Sequence, residues 1–144
     1  MTRMMLTLLI CTTALAQSGT ASLSGQWTAT YDGKTFVRLE LKPAGDVFTG
    51  GLSLGNIEVD KQGAISRVAE SPRTLVPIFD VARRDALILF SRKDGESVDR
   101  FELKPIDATH AELRLLLSDA DRRDLAAIGV PAPKPITLTK AKRP

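Results

Sequence analysis

The feature that most constrains the fold is a series of short alternating segments separated by turn residues. About ten such segments follow one another at steps of roughly 8 to 12 residues, a spacing typical of antiparallel β proteins. In the clearest of them, Thr35–Lys42, valine and leucine alternate with charged residues, as in a strand with one buried face. Asp32-Gly33 and Asp94-Gly95 provide the positive φ angles that two-residue hairpin turns need.

The order of these segments predicts the architecture. No long helical pattern separates them, which argues against a parallel sheet with crossover helices. We predict an all-β fold, an antiparallel meander of about ten short strands that closes into a barrel, because closure removes exposed sheet edges. A β-sandwich is the alternative. One short helix is predicted near the C-terminus, with a capping-box pattern at Ser118–Asp121 and an end at Gly129 and Pro131.

Two places inside the predicted strands depart from regular alternation. Pro77 cannot donate a hydrogen bond to a neighbouring strand, so its segment is predicted at an edge or beside a bulge. The adjacent glycines Gly50-Gly51 predict a bulge or a sharp bend in the segment Val47–Leu54.

The N-terminus has the pattern of an export signal. Arg3 precedes the apolar run Met4–Leu15, which is long enough for a signal peptide and too short to span a bilayer. Ala14-Leu15-Ala16 then offers small residues to a signal peptidase, so we predict cleavage before Gln17. Residues 1–16 are thus predicted to be a signal peptide and residues 17–144 a single domain, periplasmic or secreted, without a membrane span.

Charge and composition narrow the class of partner. Twenty basic and 17 acidic residues give a net charge of +3, and the excess comes from the C-terminal end, namely Lys134, Lys140, Lys142 and Arg143. We expect this basic end to be a solvated terminus. Aromatic residues are only 5% of the chain, which argues against a nucleic-acid platform of stacked rings. No nucleic-acid partner is expected.

The first predicted strand resembles that of a known family. Gly25-Gln26-Trp27 is similar to the glycine-x-tryptophan that opens the barrel of lipocalins and other calycins. The resemblance implies a cup-shaped barrel with Trp27 at its closed end, and Arg114 is a candidate for the family's arginine over that ring. The stretch Leu23–Leu54 also resembles exported bacterial proteins of unassigned function.

The sequence contains few residues that could form a catalytic, metal-binding or cofactor-binding site. The single cysteine, Cys11, lies in the predicted signal, and the single histidine, His110, shares the outward face of its strand with Glu112. We therefore predict an exposed His110, no catalytic residue, no metal site and no cofactor. The chain contains neither a nucleophile-elbow serine nor a phosphate-binding loop, so it is predicted not to be an enzyme.

Acidic residues are the remaining candidates for chemistry. Alternation places Asp99 on the inward face of its strand, where it would lie at a barrel mouth or at an exposed strand end. The other possible carboxylate groups are Glu58 with Asp60, and Asp119 with Asp121 and Asp124. The first pair belongs to the outer face of a strand, and the trio suits the N-terminus of a helix.

The expected function is that of an exported cell-envelope protein that binds a small apolar ligand in a lipocalin-like barrel. The alternative is a non-catalytic structural or protein-interaction module without a ligand cavity, and an enzyme that uses carboxylates alone is a third hypothesis. The sequence assigns neither ligand-binding residues nor an oligomeric state. A cavity inside the barrel would support the first hypothesis, whereas an interior filled by side chains would support the second.

Overall fold

The computed structural model describes residues 23–142, which form an all-β structure with one short helix near the end of this range. The strands are β1 (Gly25–Tyr31), β2 (Lys34–Ala44), β3 (Val47–Leu54), β4 (Ile57–Val59), β5 (Ile65–Val68), β6 (Val76–Arg84), β7 (Leu87–Asp94), β8 (Ser97–Pro105), β9 (His110–Leu116) and β10 (Ile136–Lys140), and the helix is α1 (Asp119–Ala127).

Eight of the strands close into an antiparallel barrel in the order β1-β10-β9-β8-β7-β6-β3-β2. The predicted all-β meander and its closure into a barrel are therefore confirmed, and the sandwich alternative is not adopted. The two remaining strands, β4 and β5, pair only with each other and form a hairpin between β3 and β6. Closure pairs β1 with β10, which gives the first described strand a partner from the far end of the chain.

Local sequence explains the hairpins and the helix. Asp32 and Gly33 both have positive φ (51° and 75°), as a tight turn between two twisted strands requires. At α1 the Ser118 side chain accepts from the Asp121 backbone N–H, while the Asp121 side chain accepts from the Ser118 N–H. The helix ends before Gly129, whose φ is 71°. The predicted helix is thus confirmed at both ends.

Of the bulge and the sharp bend that Gly50-Gly51 predict as alternatives, the bulge is wrong. Pairing between β2 and β3 runs without a register shift through both glycines. The glycines are needed because neighbours approach closely: a Cβ atom at Gly50 would overlap the Glu40 carbonyl, and one at Gly51 would lie 2.7 Å from the Leu75 Cβ. Glycine is therefore required at these two positions because neighbouring segments approach the backbone closely, and not because a residue is inserted in the strand.

The irregularity predicted for the strand that contains Pro77 is present. The β3–β6 ladder is short, with Gly51 opposite Pro77 and Leu52 opposite Val76. A bulge follows in β6 between Phe79 and Ala82, at the positive φ of Asp80. The ladder between β3 and β6 is therefore limited to two residue pairs, and β6 beyond Pro77 pairs only with β7.

The interior of the barrel is filled by side chains. Thirteen buried apolar side chains from the barrel strands are all at most 8% exposed: Trp27, Val37, Leu39, Leu41, Phe48, Leu52, Ile78, Ile88, Phe90, Phe101, Leu103, Leu113 and Leu138. Surfaces this inaccessible to water leave no ligand-sized space beside them. Within residues 23–142, any binding surface must therefore lie at an end or on the outside of this packed core.

Trp27 lies at the end of the barrel where β1 begins, and it is fully buried, as predicted. Its indole Nε1 donates to the Leu23 carbonyl at 2.9 Å, so the one polar atom of the ring is satisfied. Lys140 on β10 places its ammonium group 5.7 Å from the ring centroid, because the two residues pair across the closing strands. We call this end the tryptophan end.

Two predictions about basic residues are corrected here. Arg114 does not lie over Trp27: it is exposed and lies opposite Glu102 on the outer surface. Lys140 takes that place instead, so it is half-buried rather than part of a solvated terminus. Arg143 and the predicted signal segment, with Cys11, lie outside the described residues.

Candidate functional site

The candidate site is a groove at the opposite end of the barrel, where α1 and the β4–β5 hairpin lie. It has a volume of about 590 Å³. Its walls come from β4, from the start of β8, from the end of β9, from α1 and from the chain that follows the helix. The apolar lining residues are Ile57, Val59, Val98, Leu115, Leu116, Leu117, Leu125, Val130, Pro131 and Pro133. We call it the mouth groove.

Backbone hydrogen bonds hold the β4–β5 hairpin in place as one wall of the groove. At its base the Gly55 N–H donates to the Phe36 carbonyl, and the Ser71 N–H donates to the Thr35 carbonyl. At its tip the Gly63 carbonyl accepts from the Lys134 N–H. The hairpin is thus tied to β2 and to the segment before β10, although it pairs with no barrel strand.

Exposed apolar side chains are concentrated in the mouth groove. Seven large apolar residues in the described part of the chain are exposed, and four of them line the groove: Val98, Leu115, Leu116 and Val130. Solvent-exposed apolar surface that is gathered in one place is characteristic of binding sites. Alternation along β9 places Leu115 on the inward face, but the wall ends near Leu116 and leaves Leu115 38% exposed.

An ion pair lies beside the groove at the mouth of the barrel. Arg92 on β7 and Asp99 on β8 face each other across the ladder, with Nη2 3.2 Å from Oδ2. The Arg92 residue is only 8% exposed, and its guanidinium lies 5.9 Å from the ring centroid of Phe101. The Arg92 Nε atom is buried and has no hydrogen-bond partner among the described residues.

The inward position predicted for Asp99 is confirmed, and Asp99 lines the groove. Sequence reasoning missed its partner. The signal was present, because Arg92 follows Ile88 and Phe90 at steps of two and so shares their inward face. A charged residue at the end of an apolar face, opposite another charged residue of opposite sign, predicts a pair of this kind.

The structure regroups the other candidate carboxylates. Asp60 is a turn residue whose Oδ1 accepts from the backbone N–H groups of Gln62 and Ala64, at 2.8 and 3.0 Å. Glu58 lines the groove instead, separately from Asp60. On α1, Asp121 and Asp124 line the groove and Asp119 does not. Neither predicted group of carboxylates therefore forms a site by itself. Glu58 from the first group and Asp121 and Asp124 from the second line the groove together with Asp99.

Another surface depression, of about 420 Å³, lies on the outer side of β1 and β2. Its lining includes Arg38, Glu40 and Arg73, and Arg38 is already paired with Glu70 at 3.0 Å. The exposed large apolar residues of the described chain do not line it. We therefore consider the mouth groove the better candidate.

His110 lies at the tryptophan end, away from the mouth groove. Its side chain is 45% exposed, as predicted, and its Nδ1 lies 3.0 Å from the Asp107 Oδ1. Hydrogen bonds, first from the Thr109 backbone N–H and then from the His110 side chain, lower the pKa of Asp107 from 3.8 to about 2. The contact joins the two ends of the turn between β8 and β9.

We expect the Asp107 carboxyl carbon to titrate in NMR with a pKa of about 2. Because the pKa is lowered in the folded state, this group stabilises the protein above about pH 4, and the contribution is lost as the pH falls from about 4 to about 2. His110→Ala should raise the pKa of Asp107 without bringing it back to 3.8, since the Thr109 N–H remains. Titration of wild-type Asp107 at its ordinary value would contradict the hydrogen bonds described.

Residues 23–142 contain no group of three histidine, cysteine, aspartate or glutamate side chains placed to hold a metal ion. Within the same range, no helix has the length and apolar character needed to cross a membrane. Comparisons with protein-family models, curated proteins and solved structures found no match to this chain. The mouth groove is therefore the basis of the proposed function.

Proposed function

We propose that this protein is a non-catalytic binding protein that holds a small apolar ligand in the mouth groove, at the entrance of a packed barrel. The concentration of exposed apolar residues in that groove carries the proposal. A volume of about 590 Å³ suits a small ligand, since pockets for such molecules span roughly 300–1,000 Å³. The interior is an unsuitable place for the ligand because side chains already fill it.

We further infer that the barrel is lipocalin-like. Gly25-Gln26-Trp27 opens its first strand, Trp27 lies buried at one end, and the basic side chain of Lys140 lies over the ring. The proposed site differs from the calycin expectation in one respect, since the ligand is placed at the mouth and not in a deep cup. That difference follows from the large side chains of the core.

The packed interior also favours the alternative of a protein-interaction module without a ligand cavity. In that case the mouth groove would receive an apolar segment of another protein. Both functions use the same surface, so a small apolar probe distinguishes them: only a pocket for small ligands is expected to bind it saturably.

The test uses N-phenyl-1-naphthylamine, a neutral probe that fluoresces in apolar surroundings. We expect saturable binding to the wild-type protein and binding weakened about ten-fold by Val98→Asn, since burying one aliphatic side chain contributes roughly 1.5–3 kcal/mol. Ile106→Asn is the matched control, because Ile106 is 51% exposed and Val98 52%, but Ile106 does not line the groove.

Two results would count against the small-ligand function. Absence of saturable probe binding would favour the protein-interaction alternative. Equal weakening by Val98→Asn and Ile106→Asn would show that the probe binds elsewhere.

We also propose that the protein is exported to the periplasm or secreted, with cleavage before Gln17. The proposal rests on the apolar run Met4–Leu15 and on the small residues at Ala14 and Ala16. The intact mass of the exported protein should correspond to a chain that begins at Gln17, and Ala16→Leu should prevent that cleavage. An exported species that retains Met1 would contradict it.

A further inference from the structure

We propose that the mouth groove selects ligands that join an apolar body to a positively charged head, that is, small cationic amphiphiles. This inference rests on the function proposed above and names the ligand class of the same site. Four carboxylates line the groove, namely Glu58, Asp99, Asp121 and Asp124. Among the described residues, no lysine, arginine or histidine lines it.

The four carboxylates are not equally available to a ligand. Asp99 is paired with Arg92 at 3.2 Å, and Glu58 lies 3.9 Å from Arg67 in an exposed contact that solvent screens. Asp121 and Asp124, by contrast, form no ion pair within residues 23–142. Asp121 accepts the Ser118 N–H in the capping box, so Asp124 is the groove carboxylate that has neither an ion pair nor a side-chain hydrogen bond among the described residues.

The spacing of residues on α1 explains why its acidic side faces the groove. Asp121, Asp124 and Leu125 are three and four residues apart, so they share one face of the helix. The arginines of α1 do not line the groove. Arg122 lines an adjoining depression that shares Leu117, Leu125, Val130 and Pro131 with the groove, and the Arg123 Nε donates to the Asp119 carbonyl at 3.3 Å.

An anionic head would find no partner in the groove. The nearest buried cation, Arg92, does not line it and is already paired with Asp99, which does. A carboxylate or phosphate in the groove would therefore meet four negative groups, whereas Arg122 and Lys61 line the adjoining depression and not the groove itself. A cationic head beside Asp121 and Asp124 would instead gain Coulomb energy while its apolar body covers Leu115, Leu116 and Val98.

The experiment compares three ligands with the same nine-carbon body: nonylamine, nonanol and nonanoate. Each displaces N-phenyl-1-naphthylamine from the full protein at pH 7 and low ionic strength, and titrations are followed independently by NMR shifts of the Val98, Leu115 and Leu116 methyl groups. We expect nonylamine to bind about five-fold or more tightly than nonanoate, with nonanol between them, because unit charges a few ångströms apart near a surface interact by about 1 kcal/mol or more. Added salt at 0.5 M should reduce the preference.

Asp124→Asn should lower the ratio of nonylamine to nonanoate affinity at least about two-fold, because it removes an unpaired carboxylate from the lining. Asp119→Asn is the matched control on the same helix, and it should leave the ratio unchanged because Asp119 does not line the groove.

The outcomes separate this inference from the proposed function. If the neutral probe and nonanol bind at the groove methyl groups while the amine and the carboxylate bind equally, the charge preference is overturned and the proposed apolar groove stands. Tighter binding of nonanoate would overturn the preference as well. If the groove methyl signals respond to none of the ligands and the probe is not bound, both proposals fail.

Discussion

Replacing Trp27 by alanine is expected to lower the free energy of unfolding by about 3–5 kcal/mol, the usual cost of removing a large buried aromatic side chain. Trp27 is fully buried, and its neighbours across the strands are Leu39 and Lys140. The truncation would leave a cavity in the packed core, and it would free the Leu23 carbonyl from its bond to Nε1. Urea denaturation followed by circular dichroism measures the change.

Two variants separate the contributions to this loss of stability. Trp27→Phe keeps most of the apolar area but loses the N–H donor to Leu23, so it should cost less than the alanine variant. Tyr31→Ala on the same strand is the surface control, because Tyr31 is 39% exposed, and it should cost about 1 kcal/mol or less. Wild-type emission at the wavelength of free indole in water would contradict the buried position of Trp27.

Asp99→Ala is expected to destabilise the protein by about 2–4 kcal/mol, because it leaves the Arg92 guanidinium buried without its counter-charge. The Arg92 side chain is 9% exposed and that of Asp99 30%, so partial solvation of Asp99 reduces the effect below that of a fully buried pair. The Arg92 Nε already lacks a partner among the described residues, and removal of Asp99 would take away the hydrogen bond to Nη2 as well.

A double variant tests this interpretation. Arg92→Met combined with Asp99→Leu replaces both charges by apolar groups and should recover stability to within about 1 kcal/mol of the wild type, or exceed it. Glu58→Ala is the control for an exposed pair, since Glu58 and Arg67 are 65% and 77% exposed, and it should cost about 0.5 kcal/mol or less. Equal losses from Asp99→Ala and Glu58→Ala would mean that Arg92 is solvated rather than buried.

Fold prediction succeeded where the signal was local. The alternation in Thr35–Lys42 places the same side chains inward as the structure does, because strand periodicity alone assigns each residue to a face. The capping box at Ser118 and the turn at Asp32-Gly33 are likewise short-range features, each determined by residues within three positions of one another.

Prediction from sequence failed where one sequence pattern is compatible with two different local structures. Adjacent glycines such as Gly50-Gly51 predict a bulge as well as a close approach, and only the position of the Glu40 carbonyl decides between them. Leu115 has the correct face for a buried residue, but the wall of the barrel ends beside it. Alternation predicts the face of a side chain and not how much protein covers that face.

The amino-acid sequence alone was sufficient for the fold class, the helix, the burial of Trp27, the exposure of His110 and the inward face of Asp99. The tertiary structure decided which residues meet: Lys140 with Trp27, Arg92 with Asp99, and the α1 carboxylates with the apolar end of β9. It also separated the β4–β5 hairpin from the barrel and so formed the mouth groove. The physical reason is that a period of two residues specifies a face within one strand, whereas neighbours across strands depend on register and barrel closure, which join segments far apart in the chain.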